Sequence, residues 1–528
     1  MNWGIQDMKD LTSSVYTFED LVNGHYLYVD KTEYIWNLIR PYKGIYFMSR
    51  PRRFGKSLTI STLKAVFQGK RDLFKGLAIS KKKYDWKEYP VIHLDMANCD
   101  ARTPQALRKY LARVLTRAAS AHQVSVDIHE DELAASFESL VRAVANAKDS
   151  PVVILLDEYD KPILNALATP EAMACRDVLK GFYSTIKKCE SLERFVFVTG
   201  VTKFSHVSLF SDLNNLTDIT MHPDYATMLG YTQEEFEECF AERLDDAVDK
   251  LNIPREQLIA EIKAWYDGYR FEENSPTVYN PVSLAQFFIN QCKFSNYWFA
   301  TGTPSFLLKV IRKANFNFER ALNEPVLGFA FNAFEIDRID PLALMLQTGY
   351  LTIKSSFVEF GMTQYYLDFP NREVKEAFKT YLISDYSAIP QEIVGANVFQ
   401  MAKSIKAGDI QHFMDLLKTF FAAVQYDVKT DAEGRFQLLF YSVFLLLGVR
   451  IEAESRTNDG RIDAVIREGD CIYIFEFKMN QTADAALAQI HEKEYYQKYQ
   501  HSGKRIVLIG ANFDADSRQI SEWKIEEA

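Results

Sequence analysis

The sequence predicts an α/β protein: a parallel sheet with helices in its first half, a mainly helical middle region, and a smaller α/β domain at the C-terminus. Three stretches carry that expectation. Ile45-Tyr-Phe-Met-Ser-Arg-Pro-Arg-Arg-Phe-Gly-Lys-Ser-Leu58 is an apolar strand running through a tight basic loop into a helix-like segment. Pro151 opens Val152-Val-Ile-Leu-Leu-Asp157-Glu158, a continuous apolar run of the kind found in strands buried on both faces. Near the C-terminus, two alternating stretches joined by Arg467-Glu-Gly-Asp470 read as a hairpin.

Composition sets the bounds. At 528 residues the chain suggests roughly three domains of about 150 residues each. The expected limits are 1–270 for the sheet domain, 271–425 for the helical middle and 426–528 for the last. With 48% hydrophobic and 25% charged residues there is apolar mass for several cores. A formal net charge of −10 argues against a generally basic coat for nucleic acid, though not against a local basic groove. The six cysteines are scattered without C-x-x-C spacing, so neither a zinc knuckle nor a disulfide framework is suggested. The first residues lack the layout of a signal peptide. The longest apolar run, Phe436 to Val449, is too short to span a bilayer and reads as a buried helix. A reduced, cytoplasmic protein without membrane association is expected.

Taken in order, Glu33–Arg40 is helix-like, with Asp30 or Thr32 able to cap it and Pro41 after it. This segment is open to two readings, an adenine pocket or a helix packed on the sheet. The strand from Ile45 then enters the loop that ends Gly55-Lys56-Ser57. That is the layout of a phosphate-binding loop. Its backbone N–H groups and the helix N-terminus face an anion, Lys56 reaches the β- and γ-phosphates, and Ser57 offers a hydroxyl to Mg²⁺. The usual pattern begins with Gly, and here Arg50 stands in that place.

Helical periodicity over Leu58–Gln68 is followed by the strand Pro90-Val-Ile-His-Leu-Asp95. Two helix-like segments, about Thr103–Ala119 and Glu130–Ala147, then precede the buried run ending in Asp157-Glu158. A helix over about Glu171–Lys188 leads to the strand Arg194-Phe-Val-Phe-Val-Thr-Gly200. Strands alternating with helices give a parallel sheet, whose chemistry lies at the carboxyl ends of its strands. Lys56 and Ser57 follow one strand, Asp157 and Glu158 end a second, and Thr199 ends a third. Asp157 is placed to hold Mg²⁺ and Glu158 to orient an attacking water. Two acids also end strands fortuitously, but a pair following a Gly-Lys-Ser loop is harder to assign to chance.

The middle region is mainly helical by period. Arg270 reads either as a sensor of the γ-phosphate or as a surface ion-pair partner. Gln347–Ile353 and Tyr365–Asn371 look like short strands of a small winged element.

In the last domain, Gly460-Arg-Ile-Asp463 begins the first hairpin strand and Cys471-Ile-Tyr-Ile-Phe-Glu476-Phe-Lys478 forms the second. Glu476 and Lys478 are two apart and share one face, while Phe475 and Phe477 take the other. Charges on an apolar strand are costly unless they serve a site or reach solvent. A solvated edge hairpin is the plain reading. The chemical one is metal-dependent phosphodiester cleavage, with Asp463 and Glu476 as ligands of Mg²⁺ and Lys478 steadying developing charge.

With both sets of residues located, the chain resembles a bacterial family in which an AAA-ATPase-like domain is joined to a nuclease-like one. Arg50–Ser57, Tyr28-Val-Asp-Lys-Thr32, Leu156-Asp-Glu-Tyr-Asp160 and Thr199-Gly-Val-Thr-Lys-Phe-Ser205 resemble the ATPase motifs, and Arg50 is then no departure. Gly460–Asp463 and Glu476–Lys478 resemble the core of the PD-(D/E)XK nuclease superfamily, where Gln489 would be a supporting residue. An acid from the first helix is usual there, and Glu433 is the nearest candidate. The resemblance implies a P-loop NTPase sheet binding ATP and Mg²⁺ through Arg53, Gly55, Lys56, Ser57 and Asp157, with Glu158 as hydrolytic base and Thr199 or Thr202 sensing the γ-phosphate. It implies a nuclease domain with Asp463, Glu476 and Lys478 as catalytic residues, DNA as its nucleic acid, and ATP turnover as its control. Two rivals stay open: a nuclease fold that only binds nucleic acid or a protein partner, and an ATP-driven switch that forms homo-oligomers.

Overall fold

A computed structural model describes residues 8–167, 169–203, 215–299, 307–308, 310–311, 321–322, 324–331, 339–423, 443, 464–514, 516–517 and 519–528. By contacts they group into two units, Met1–Val374 and Lys375–Ala528, so the stretch 271–425 is shared between them.

The first unit is built on five strands: β1 (Gly44–Ser49), β2 (Val91–Asp95), β3 (Val152–Asp157), β4 (Glu193–Gly200) and the two-residue β5 (Thr217–Asp218). Their order is β2-β3-β4-β1-β5, and all pairings are parallel. Every residue of β3 and β4 is buried, as expected for central strands covered on both faces. The crossovers are helical. Pro104–His122 starts with Thr103, whose hydroxyl accepts from the Ala106 N–H, and has Pro at its first position. Leu133–Lys148 ends at Asp149 in the left-handed conformation. Because β4 lies between β1 and β3, the ends of these three strands adjoin: Met48 is in register with Thr199, and Asp95 of β2 with Asp157. The parallel sheet thus gathers the loop after β1, the acids after β3 and the threonine of β4 on one edge.

The N-terminal motif is tied by side chains. Asp30 accepts from the Thr32 N–H at 2.8 Å and from the Ala78 N–H at 2.7 Å, and Lys31 donates to Glu235 at 2.6 Å and to the Thr227 carbonyl at 2.8 Å. Further along, a three-stranded antiparallel sheet has the order β6-β8-β7, with β6 at Val326–Leu327, β7 at Thr352–Glu359 and β8 at Met362–Asp368. The expected strand over Gln347–Ile353 is in part a helix, Pro341–Thr348. Asp340 caps its start, accepting from the Leu342 N–H, and Gly349 ends it at φ 86°. Arg270 meets this sheet: its guanidinium donates to the Lys354 carbonyl at 3.0 Å, and its N–H to Thr352 at 2.8 Å.

At the far end of β4 from the loops, Glu193 is 2% exposed, and neither carboxylate oxygen finds a hydrogen-bond donor among the described residues. Burial pushes this carboxyl up to about 8, with Glu190 adding to the rise and Lys43 opposing it. The folded state therefore keeps a proton that the unfolded chain releases near 4.5. The stability from that proton is complete below the unfolded value and is lost as pH rises through about 8. Urea unfolding across that range is expected to show wild type weakening relative to Glu193→Gln, by up to roughly 1.4 kcal/mol per pH unit. Parallel pH curves would refute it.

The second unit carries a mixed sheet, β12-β11-β10-β9, from β9 (Ala464–Glu468), β10 (Cys471–Met479), β11 (Arg505–Asp514) and β12 (Gln519–Glu527). The hairpin forms as the alternation predicts, with Phe475 opposite Ala464 and Cys471 opposite Glu468, while β10 and β11 run parallel. Tyr473 and Phe475 face the helices Gln391–Lys406 and Ile410–Ala422, packing with Met401, Phe413 and Leu417. Ile472 and Ile474 face the other way, with Leu487 and Ile490 of the helix Ala483–Glu492. That helix lies close on β11, since a Cβ on Gly510 would come within 2.6 Å of the Ala483 carbonyl. Of the apolar run Phe436–Val449 only Val443 is described, and it is buried in this core.

Candidate active sites

The loop between β1 and the helix Lys56–Phe67 turns through two left-handed residues, Arg53 at φ 69° and Gly55 at φ 93°. Gly55 adopts this at no cost, and Arg53 carries strain that the surroundings must hold. Arg50 is 1% exposed and does not face outward at all. Its guanidinium donates to the carbonyls of Ser49 at 2.9 Å, Thr220 at 2.6 Å and Tyr225 at 3.1 Å, and lies 4.1 Å from the Phe271 ring. Burial pulls its pKa down, with Asp218 acting against the shift. The residue in the glycine's place is a tie between β1 and the chain after β5, so it is not available to a triphosphate. Arg50→Gly, which restores the common loop pattern, strips a cationic donor from three carbonyls. We expect a loss of about 3 kcal/mol in urea unfolding, and an equally stable variant would contradict that role.

Lys56 is 5% exposed, and its ammonium donates to the carbonyls of Arg50 and Pro51, both at 3.2 Å. Glu158 lies 3.6 Å from it. Asp157, 4% exposed at the end of β3, accepts the Glu158 N–H at 2.9 Å. Burial lifts its carboxyl to about 6, the Ser57 hydroxyl pulls it down by hydrogen bonding, and Glu158 pushes it up. Glu158 itself has φ 53°, a left-handed conformation for a residue with a side chain, and such strain recurs where a catalytic group must be aimed. Residues about 100 positions apart thus meet as one site. Arg53 is exposed at the loop's tip.

Thr199 and Thr202 sit close by but spend their hydroxyl protons inside the protein. Thr199 donates to the Met48 carbonyl at 2.9 Å and Thr202 to Asp160 at 2.6 Å. In this conformation neither hydroxyl donates outward, and both hold strand ends together. Asp160 stood in the sequence motif without a role. Fully buried, it also accepts the N–H groups of Val201 at 3.1 Å and Thr202 at 2.6 Å, and burial with nearby Glu158 lifts it to about 6. Tyr159 adds a bond from its hydroxyl to the Thr202 carbonyl at 2.9 Å. Gly200 is required here because a Cβ would lie 2.5 Å from Asp160. The signal for Asp160 was the pairing of an Asp-Glu-Tyr-Asp run with a Thr-Gly-Val-Thr run. Asp95 was equally legible as an acid ending a strand; it is exposed, beside Asp157.

In the second unit, the alternation of β10 sets Glu476 and Lys478 on the face that carries Ile472 and Ile474. Glu476 is 1% exposed and Lys478 donates to it at 3.2 Å. Lys478 also donates to Gln489, from the covering helix. Gln489 in turn donates to the Tyr495 hydroxyl at 3.4 Å. Three residues named from sequence therefore form one cluster. Asp463 and Glu433 lie outside the described residues.

Models of known families match both parts: a predicted AAA-ATPase over residues 13–210 and the PD-(D/E)XK nuclease superfamily over residues 431–523. A protein of Azotobacter chroococcum mcd 1, named "Uncharacterized protein in vnfD 5'region", is 36% identical over 530 residues, covering 98% of this chain and 99% of its own. The chain belongs to this family. In this chain an AAA-ATPase-like domain is joined to a PD-(D/E)XK nuclease-like domain. Among solved structures, the Aeropyrum pernix ORC2 protein in ADPNP and ADP complexes matches over 85% of this chain and 90% of its own, with 10% identity and a TM-score of 0.27.

Among the described residues no group of three or more His, Cys, Asp or Glu side chains is arranged to hold a metal ion alone. The donors of the first site, one hydroxyl and one buried carboxylate, are hard oxygen ligands of the kind that suit a divalent cation. Burial that keeps Asp157 reluctant to ionise is the condition a divalent cation relieves. No helix among the described residues is long and apolar enough to cross a membrane.

Proposed function

We propose that this protein is an ATPase whose nucleotide cycle controls a Mg²⁺-dependent nuclease domain acting on DNA. The observation that carries the reading is the convergence of Lys56, Ser57, Asp157 and Glu158 from two strand ends. ATP lies along the loop, with its phosphates met by Lys56, by the N–H groups up to Gly55 and by the exposed Arg53. Ser57 and Asp157 would hold Mg²⁺, whose chemistry when bound would be to neutralise charge on the phosphate oxygens. Glu158 orients the attacking water and takes its proton. Thr199, Thr202 and Asp160 fix the wall on which Glu158 stands.

In the nuclease domain Asp463 and Glu476 would hold a divalent metal, whose chemistry when bound would be Lewis-acid polarisation of the scissile phosphate. Lys478 places its ammonium at the charge that develops there, and Gln489 keeps Lys478 in position. The free state of all six thiols suits a cytoplasmic protein. The test is cleavage of plasmid and single-stranded DNA with Mg²⁺ or Mn²⁺, with and without ATP, by wild type beside Asp463→Ala. Cleavage that depends on Asp463 and responds to ATP is the expected result. ATP turnover and ATP-dependent assembly without cleavage would favour the regulatory switch instead.

A further inference from the structure

The phosphate loop lacks the opening glycine and yet bends through a left-handed arginine, so something outside the loop must impose its shape. The loop's flank is gripped by three groups from later in the chain. Phe54 packs edge-on against Tyr269 and Phe271, with ring centroids 4.8 and 5.4 Å apart. Pro51 presses on Gly349, where a Cβ would approach within 2.7 Å. Trp298, 5% exposed, donates its indole N–H to the Arg52 carbonyl at 3.0 Å.

Trp298 is itself held. Its backbone N–H donates at 2.6 Å to Glu373, a fully buried carboxylate whose other oxygen accepts from the Ser283 hydroxyl at 2.7 Å. Ser283 belongs to the first turn of the helix Pro281–Ile289, capped by Asn280, whose side chain accepts the N–H groups of Val282 and Ser283, both at 3.0 Å. The indole ring packs on Tyr350 at 5.2 Å. A buried carboxylate that joins the Trp298 N–H to the Ser283 hydroxyl is an expensive device for packing alone.

We propose that Trp298 and Glu373 form a latch that positions the outer turn of the phosphate loop and so sets the affinity for the nucleotide triphosphate. The peptide joining Arg52 to Arg53 is planar and trans, so its C=O and N–H point in opposite directions. Fixing the Arg52 carbonyl on the indole turns the Arg53 N–H away from Trp298, leaving it as a donor for the phosphates on the ATP reading. The inference rests on the ATP reading above. Both residues act through the loop and are positioning residues.

Trp298→Phe keeps the ring and removes the N–H donor. Titration of the full chain with a slowly hydrolysed ATP analogue and Mg²⁺ is expected to show affinity weakened roughly five- to tenfold, the effect of one hydrogen bond. Wild-type emission minus that of Trp298→Phe should shift on adding the analogue, since the indole N–H bonds to the loop that would take the phosphates. Glu373→Gln should weaken binding similarly, and the double variant by no more than either alone, as for two parts of one device. Unchanged affinity in Trp298→Phe beside tight wild-type binding overturns the latch alone. Additive losses in the double variant overturn it too. No binding by wild type refutes the ATP reading and the latch with it.

Discussion

Lys56→Ala is expected to lose at least about a hundredfold in ATP affinity, the equivalent of roughly 3 kcal/mol from a charged donor shared between phosphate oxygens. The reason lies in where the ammonium sits. It is almost completely buried, and it is satisfied by two backbone carbonyls and by a carboxylate at 3.6 Å. None of these is a close ion pair, so a triphosphate offers it a better partner, and the lysine's attraction to Glu158 is exchanged for one to phosphate. The variant should fold. The bonds it makes to its two carbonyl partners are long, both 3.2 Å, and Glu158 is one-fifth exposed and reaches water. Fluorescence titration with an ATP analogue, with circular dichroism and the thermal midpoint as controls, checks both halves. Equal affinity in a folded Lys56→Ala protein would remove the basis for placing ATP on this loop.

Much of this site was legible because parallel-sheet strands are uninterrupted apolar runs, and the residues at the end of each run land on one edge. β1, β3 and β4 could be read from Ile45–Met48, Val152–Leu156 and Phe195–Val198 without any tertiary information. β5 could not. Two residues long, it is held by β1 and by an ion pair between Lys203 and Asp218 at 2.5 Å. The meaning of Arg50 was hidden for the same reason. Its carbonyl partners Thr220 and Tyr225 come about 170 positions later, so in sequence it shows only as a missing glycine. Thr199 and Thr202 were found by position, but the direction in which their hydroxyls donate is set by Met48 and Asp160. Trp298 carried no signal, being one aromatic residue among many. In the second unit, strict alternation made Glu476 and Lys478 readable as a pair, and Gln489 lies on the helix that covers their face.

Removing Lys478 should abolish cleavage, by at least a factor of about 10² to 10³, the usual effect of deleting one group that stabilises transition-state charge. Nucleotide affinity should not change, since the phosphate loop belongs to the other unit. A simple alanine has a second consequence. Glu476 is 1% exposed and Lys478 is its cation at 3.2 Å. Deleting one partner of a buried pair typically costs about 3–5 kcal/mol through the charge left behind, so loss of cleavage could arise from a weakened fold. The charge-balanced double variant Glu476→Gln with Lys478→Gln avoids this. Glu476→Gln is isosteric, and Lys478→Gln, one atom shorter than lysine, still carries an amide that can donate toward Gln489. If the hypothesis holds, this variant melts close to wild type, binds ATP normally and does not cut DNA. If it still cuts, the metal-dependent chemistry is not on this face of β10. If wild type cuts nothing with either metal, in the presence or absence of ATP, the cluster is a structural ion pair in a domain that binds without cleaving.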